Sequence, residues 1–280
     1  MRTGFQAMTG TEKLPAPLAA VEPFDVLARD GAYPSRGQIV LFGGRAGSMK
    51  STLVTAWALA GGFATLYFAF DQQPRTMTHR LAAAWTGRTV AEVRGDIRAG
   101  HAGWYAEKMR HCRMSLAFEN NTFGGMGLEL DAYLEFWGEW PETIIVDNLS
   151  DLVDEHHGVA AYAEAMKNLE RLAAVTGASV WVLHHCREIK ESSEPPSRED
   201  ILYRLTQKPE IIYTLGYDPV SWILKLAVVK CRDGVADASA RTAYAFQTDP
   251  ARGLVTGYIG VTHSGGEGWV RGHATTARCP

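Results

Sequence analysis

The chain predicts an α/β fold: a mostly parallel sheet covered by helices on both faces, with antiparallel strands added toward the C-terminus. Three observations carry this expectation. A glycine-rich turn, Gly43-Gly44-Arg45-Ala46-Gly47-Ser48-Met49-Lys50-Ser51-Thr52, stands between an apolar run and an alanine-rich segment. Short apolar runs then alternate with helix-patterned stretches as far as His185. From Ile211 onward, strand-like runs follow one another across tight turns with no helix between them.

Residues 1–20 show no periodicity and read as a flexible lead-in. Residues 21–262 read as one domain, and 263–280, rich in glycine, as a loose tail. Gln38 to Phe42 is the first strand, and Leu53 to Ala60 the helix after the glycine-rich turn. Phe63 to Phe70 is a second buried strand that stops at Asp71-Gln72-Gln73-Pro74. A helix from Arg75 to Trp85 follows, then two short helical patterns between Val90 and Cys112. Met114 to Glu119 is the third strand, Gly127 to Trp137 a helix, and Thr143 to Asp147 the fourth strand. Ala160 to Ala174 has helical spacing, with Tyr162, Met166, Leu169 and Leu172 on one side. Ser179 to His185 is the fifth strand. Arg187 to Arg204 is polar, contains Pro195-Pro196 and has no regular period, so it reads as a long functional loop. Ile211 to Leu215, Trp222 to Val229, Arg241 to Phe246 and Leu254 to Ile259 are the late strands, with a turn expected at Gly216-Tyr217-Asp218-Pro219.

Composition narrows the function classes. A net charge of −3 gives no global basic signature, so nucleic-acid binding must come from a local patch or from repeated subunits. Cys112, Cys186, Cys231 and Cys279 lack C-x-x-C spacing, which argues against a zinc ribbon or a disulfide framework. No basic segment precedes an apolar core at the N-terminus, and no apolar run approaches a membrane span. The expectation is a cytoplasmic protein without a membrane partner.

Strand, glycine-rich turn, Lys-Ser and helix is the context of a phosphate-binding loop. Glycines let successive N–H groups converge on phosphate oxygens, and the helix adds its positive end. Gly44, Arg45, Ala46, Gly47, Ser48, Met49, Lys50, Ser51 and Thr52 are therefore the expected nucleotide contacts. Lys50 supplies charge to the terminal phosphates, and the Ser51 hydroxyl a ligand for Mg²⁺. The usual pattern has glycine where Met49 stands. The loop works with Met49 if its backbone is helical and its side chain points away; otherwise it binds weakly.

Asp147 ends an apolar strand, where a carboxylate can hold Mg²⁺ through water, or serve as an ordinary turn residue. Asp71 ends the neighbouring strand, where a carboxylate can polarise an attacking water. His184 and His185 end the fifth strand; adjacent strand residues point to opposite faces, so they cannot share one metal ion. One of them suits a sensor of the γ-phosphate. Lys230 and Arg232 flank Cys231 on an extended segment and share a face, suited to a neighbouring subunit's phosphate or to a solvated turn.

With Tyr67 to Asp71, Ile144 to Asp147, Leu183-His184-His185 and Val228 to Gly234, these stretches resemble, in order, the RecA-like ATPases. More closely they resemble the motor domain of DnaB-type replicative helicases and their small phage relatives, over about residues 22 to 260. The resemblance implies ATP and Mg²⁺ as cofactors, with Lys50 and Ser51 on phosphate and metal and Asp147 as the Walker B acid. It places Asp71 where the family has a catalytic glutamate, and His185 where it has a glutamine or histidine sensor. Lys230 and Arg232 match its trans-acting fingers, which implies a homo-oligomer, commonly a hexameric ring. Two loops, Leu149 to Gly158 and Arg187 to about Arg204, would face single-stranded DNA, with Arg187, Lys190 and Arg198 as their cations. The first thirty residues are too few for the helical N-terminal domain of replicative helicases. The expectation is an oligomeric ATP-dependent DNA motor working with replication or recombination proteins. The alternatives are a recombination-type ATPase that binds DNA without unwinding it, and a nucleotide-dependent regulatory module.

Overall fold

The computed structural model describes residues 17–119, 121–153, 158–187 and 193–264, and the backbone of 270–271. The strands are β1 (Ile39–Gly44), β2 (Thr65–Ala69), β3 (Met114–Ala117), β4 (Thr143–Asp147), β5 (Ser179–His185), β6 (Ile211–Asp218), β7 (Ile223–Cys231), β8 (Thr242–Asp249), β9 (Leu254–His263) and β10 (Val270–Arg271). The helices are α1 (Val26–Arg29), α2 (Lys50–Ala60), α3 (Pro74–Thr86), α4 (Val90–Arg98), α5 (Ala102–Lys108), α6 (Phe123–Trp137), α7 (Leu149–Leu152) and α8 (Gly158–Thr176).

All strands join one sheet in the order β10-β9-β8-β7-β6-β1-β5-β4-β2-β3. Pairing is parallel from β3 through β6 and antiparallel from β6 through β10. The change of direction has a simple cause. Parallel neighbours need a crossover, and the chain supplies helices for that up to β5 and the 186–210 segment before β6. Among the described residues no helix follows β6, and each new strand runs back along the last.

Alternation along the strands divides the core into two layers. Val40 and Phe42 of β1, Ile145 of β4, and Trp181 and Leu183 of β5 pack on the α2 side with Trp57, Phe24 and Tyr213. Ile39, Leu41, Ile144, Val146, Val180 and Val182 pack on the opposite side with Tyr162, Met166 and Leu169 of α8. Trp57 is the hub of the first layer: it stacks on Phe24 at 4.6 Å and donates its indole N–H to the Tyr33 hydroxyl at 2.9 Å.

Several expected boundaries shift. Residues 17–20 belong to the fold, not to a loose lead-in: Pro17 bridges Ser35 and Leu18 is buried. α6 begins at Phe123, earlier than its glycines suggest, because the Thr122 hydroxyl caps it by accepting from the Gly125 N–H at 3.0 Å. The loop after β4 opens with the helical turn α7, capped by Asn148; residues 154–157 lie outside the described part. β6 runs through Gly216 to Asp218, so the expected turn there is strand. Residues 193–204 are structured by a Ser197–Asp200 capping box and by a bridge from Ile201 to Cys186. Among the described residues, no helix is long and apolar enough to cross a membrane.

Candidate functional site

The parallel strands β1, β2, β4 and β5 all end on one edge of the sheet, and Lys50, Asp71, Asp147 and His185 collect there. A cavity of about 480 Å³ opens at this edge. Its lining includes Ala46 to Thr52, Asp71, Gln72, Asp147, Asn148 and His185. Ligands of open α/β sheets bind at this carboxyl edge, where the loops converge.

The loop after β1 has the residue types its path demands. A Cβ on Gly44 would stand 2.3 Å from the Ser48 Oγ, and Gly47 has φ of 74°. Met49 is left-handed, with φ 63° and ψ 24°, and caps α2. The condition of a right-handed helical backbone at Met49 is therefore not met. Its half-buried side chain packs beside the first core layer and also borders the cavity. The left-handed region costs a residue with a Cβ about 1–2 kcal/mol. Gly44 and Arg45 do not line the cavity: Gly44 packs on Ser48, and Arg45 donates to the Glu194 carbonyl at 3.0 Å.

Lys50 is buried at 8% exposure, and its ammonium donates to the carbonyls of Gly44 at 2.9 Å and Arg45 at 3.0 Å. The charge thus sits within the loop at the start of α2.

Asp147 is 3% exposed, and its Oδ2 accepts from the Tyr67 hydroxyl and from the Gln72 amide, each at 2.7 Å. Tyr67 lies beside Ser51 and Thr55 of α2; burial first, then the Asp147 charge, pushes its phenol well above the ordinary value. A neutral hydroxyl therefore donates to Asp147 at the α2–sheet interface, beside Ser51. Arg80 extends the chain by donating to the Gln72 Oε1 at 3.3 Å. Tyr67 and Gln72 escaped sequence reasoning. The available signal was the inward alternation of Tyr67 with Ala69 on β2.

Asp71 lies exposed at the rim of the cavity, with its backbone N–H on the Asp147 carbonyl at 3.3 Å. Asp151, in α7, was also missed as a site residue. Its Oδ2 is buried without a hydrogen-bond partner, and burial, then the Asp71 charge, raises its pKa.

The two histidines face opposite ways, as their adjacency requires. His185 borders the cavity, and its Nε2 lies 3.1 Å from the Asn148 Nδ2. Asn148 spends its Oδ1 on the Ser150 N–H at 2.8 Å, so its amide donates to His185. His185 is then an acceptor at Nε2, and its neutral tautomer carries the proton on Nδ1. Burial, then Lys50, lowers the His185 pKa, which keeps the ring neutral near pH 7. His184 points into the second core layer, 1% exposed, with its ring 5.6 Å from that of Tyr162. Burial, then His185, pushes it down to about 4.

Lys230 and Arg232 do not line this cavity. They sit near the opposite edge of the parallel strands, where Cys231 pairs with Ile211 at the start of β6. The Lys230 ammonium donates to the carbonyls of Thr206 at 2.8 Å, Gln207 at 2.9 Å and Pro209 at 2.6 Å. Arg232 pairs with Glu210 at 2.9 Å and shares the Gln207 carbonyl at 3.4 Å. The two share a face, as their spacing requires. Arg187 and Arg198 are exposed on the segment beyond β5, joined through the Arg187 N–H on the Asp200 carbonyl at 2.8 Å. Lys190 lies outside the described residues.

The donors suit a magnesium ion that arrives with phosphate. Among the described residues no group of three or more His, Cys, Asp or Glu side chains can hold a metal alone. Mg²⁺ commonly takes one or two protein oxygens and completes its shell with phosphates and water, and Ser51 with Asp147 matches that need.

No family model matches the chain. It is 26% identical over 227 residues to the Gene 65 protein of Mycobacterium phage L5, covering 77% of this chain and 84% of that protein. The Gene 65 protein of Mycobacterium phage D29 is 26% identical over 208 residues, 69% of this chain and 88% of that protein. Among solved structures, a DnaB-like replicative helicase described with its primase interactions superposes with a TM-score of 0.71 at 13% identity. The match covers 90% of this chain and 66% of that one, so the chain spans about two thirds of the helicase's length. A second solved structure, an isolated ATPase domain, superposes with a TM-score of 0.69 at 12% identity, over 90% of this chain and 95% of that domain. The expected architecture is thus borne out: the fold of this chain is that of the RecA-like ATPase domains of DnaB-type helicases.

Proposed function

We propose that the chain is the ATP-hydrolysing unit of an oligomeric motor that acts on single-stranded DNA. One observation carries this reading: Lys50, Ser51, Asp71, Asp147 and His185 line one cavity, while Lys230 and Arg232 sit near the far edge of the strands. A chain with that layout completes its site with a second copy. The helicase and ATPase-domain structures of the same fold support it.

In this reading Lys50 exchanges its two loop carbonyls for phosphate oxygens. Asp147 and Ser51, on either side of Tyr67, would hold Mg²⁺, which would neutralise phosphate charge when bound. Asp71 orients the attacking water, and the Nδ1–H of His185 donates to the γ-phosphate. Arg232, released from Glu210, and Lys230 act on the nucleotide of the next copy. Arg187, Lys190 and Arg198 contact DNA. A regulatory module with slow turnover is a second reading, favoured by left-handed Met49 and by the short reach of Asp71.

Subunit mixing tests the shared site. Lys50→Ala and Arg232→Ala chains are each expected to be inactive alone. Mixed, they regain turnover, because some interfaces pair an intact Lys50 with an intact Arg232. No recovery on mixing, with oligomers formed, contradicts a site completed in trans.

A further inference from the structure

The helices between β2 and β3 carry a surface that the nucleotide site does not use. α3 and α4 pack together through Ala82, Ala83 and Val93, with Tyr105 of α5 closing the cluster. Each helix sets two basic side chains one turn apart: Arg75 and His79 on α3, Arg94 and Arg98 on α4. The three arginines are exposed. Arg94, Arg75 and Arg98 all act on His79, which burial first and then these charges hold below its ordinary pKa.

The acids of this stretch leave that face uncompensated. Between residues 75 and 113 they are Glu92, Asp96 and Glu107. Glu92 closes the cap of α4 on Thr89. Asp96 is taken by Arg88 at 2.7 Å and by the Tyr105 hydroxyl at 2.6 Å. Glu107 pairs with Arg110. Among the described residues, Arg75, Arg94 and Arg98 make no ion pair. In a chain of net charge −3, this is a local concentration of positive charge.

Its dimensions suit an extended anionic partner. Residues one turn apart on a helix are about 6 Å from each other, and packed helix axes about 8–10 Å apart. Successive phosphates of a strand can take one guanidinium each across that spread. We propose that the α3–α4 face binds the phosphate backbone of single-stranded DNA, as a second nucleic-acid surface separate from the segment that carries Arg187 and Arg198. Guanidinium contacts to phosphate position a strand without reading its sequence. The face shares with the proposed function only the premise that the chain works on DNA.

The test is anisotropy of a labelled thirty-nucleotide oligothymidylate against salt concentration, for wild type and for Arg94→Ala/Arg98→Ala. Each lost phosphate contact lowers the slope of log K against log salt by about 0.7 on single strands, so the double variant is expected to bind more weakly with a slope shallower by about 1.4. Arg94→Lys/Arg98→Lys keeps the charge and restores the slope. ATP turnover without DNA stays at the wild-type rate, which separates failure here from failure of the nucleotide site. Wild-type affinity and slope in the alanine variant would overturn the proposal. So would unchanged DNA binding with smaller oligomers by light scattering, which would make this face a contact between copies.

Discussion

At the scale of single residues, Met49 and Tyr67 show what a motif does and does not say. The missing glycine at Met49 was legible in the sequence, but its backbone state was not, because the loop path is fixed by Gly44 packed on Ser48 and by Gly47. The left-handed φ makes a prediction whose sign opposes normal helix preference. Met49→Gly and Met49→Ala both lose the same packing, yet the glycine variant should be more stable by about 1 kcal/mol in urea unfolding, because only alanine keeps the left-handed penalty. Equal stabilities, or the alanine ahead, would show that the backbone at 49 is not left-handed. Tyr67 reads in sequence as one more apolar strand residue. Its role depends on which strand lies next to β4, and no local pattern encodes that adjacency. Tyr67→Phe leaves a buried Asp147 oxygen one donor short, so a loss of about 1–3 kcal/mol in stability is expected, with a higher Mg²⁺ requirement for nucleotide binding.

At the scale of elements, strands were more legible than their ends or their order. Runs such as Thr143 to Asp147 are apolar on both faces because both faces are covered, and such runs announce themselves. Gly216 was misplaced because glycine usually marks a turn. Its physical reason is long-range: a Cβ there would stand 2.1 Å from the Ser193 carbonyl oxygen, so the 193–195 backbone lies directly on β6. Gly216→Ala should therefore lift this segment, together with its ties through Arg45 to the Glu194 carbonyl and through Lys225 to the Glu194 carboxylate. Faster amide exchange over residues 197–204, with protection of β6 retained, is the expected result. Unchanged exchange would mean the segment is held elsewhere.

The second core layer carries a pH dependence of its own. His184 has a folded pKa of about 4 against an ordinary value near 6.5. Between those values the unfolded chain takes up a proton that the folded chain refuses, so stability falls as pH falls from about 6.5 to about 4. The difference corresponds to about 3 kcal/mol, present in full above the window and lost below it. His184→Phe should remove this component, giving a flatter stability curve across the window by urea unfolding. A variant curve parallel to that of wild type would show that His184 is not held neutral.

At the scale of the whole molecule, the proposed function puts two halves of one chemistry at opposite sheet edges. The order of motifs along the chain was legible, and so was the likeness to RecA-like ATPases. The sheet order was not, because the register of β1 between β5 and β6 depends on contacts far apart in sequence. That order sets the nucleotide cavity at one edge and Lys230 and Arg232 near the other, which makes assembly a condition of activity in this account. The most direct measurement is ATP turnover by the purified protein, with and without single-stranded DNA, against Lys50→Ala. The account predicts turnover that needs Mg²⁺, rises with DNA and falls to background in Lys50→Ala. Turnover unchanged by Lys50→Ala, or no nucleotide binding by the wild-type chain, would contradict it.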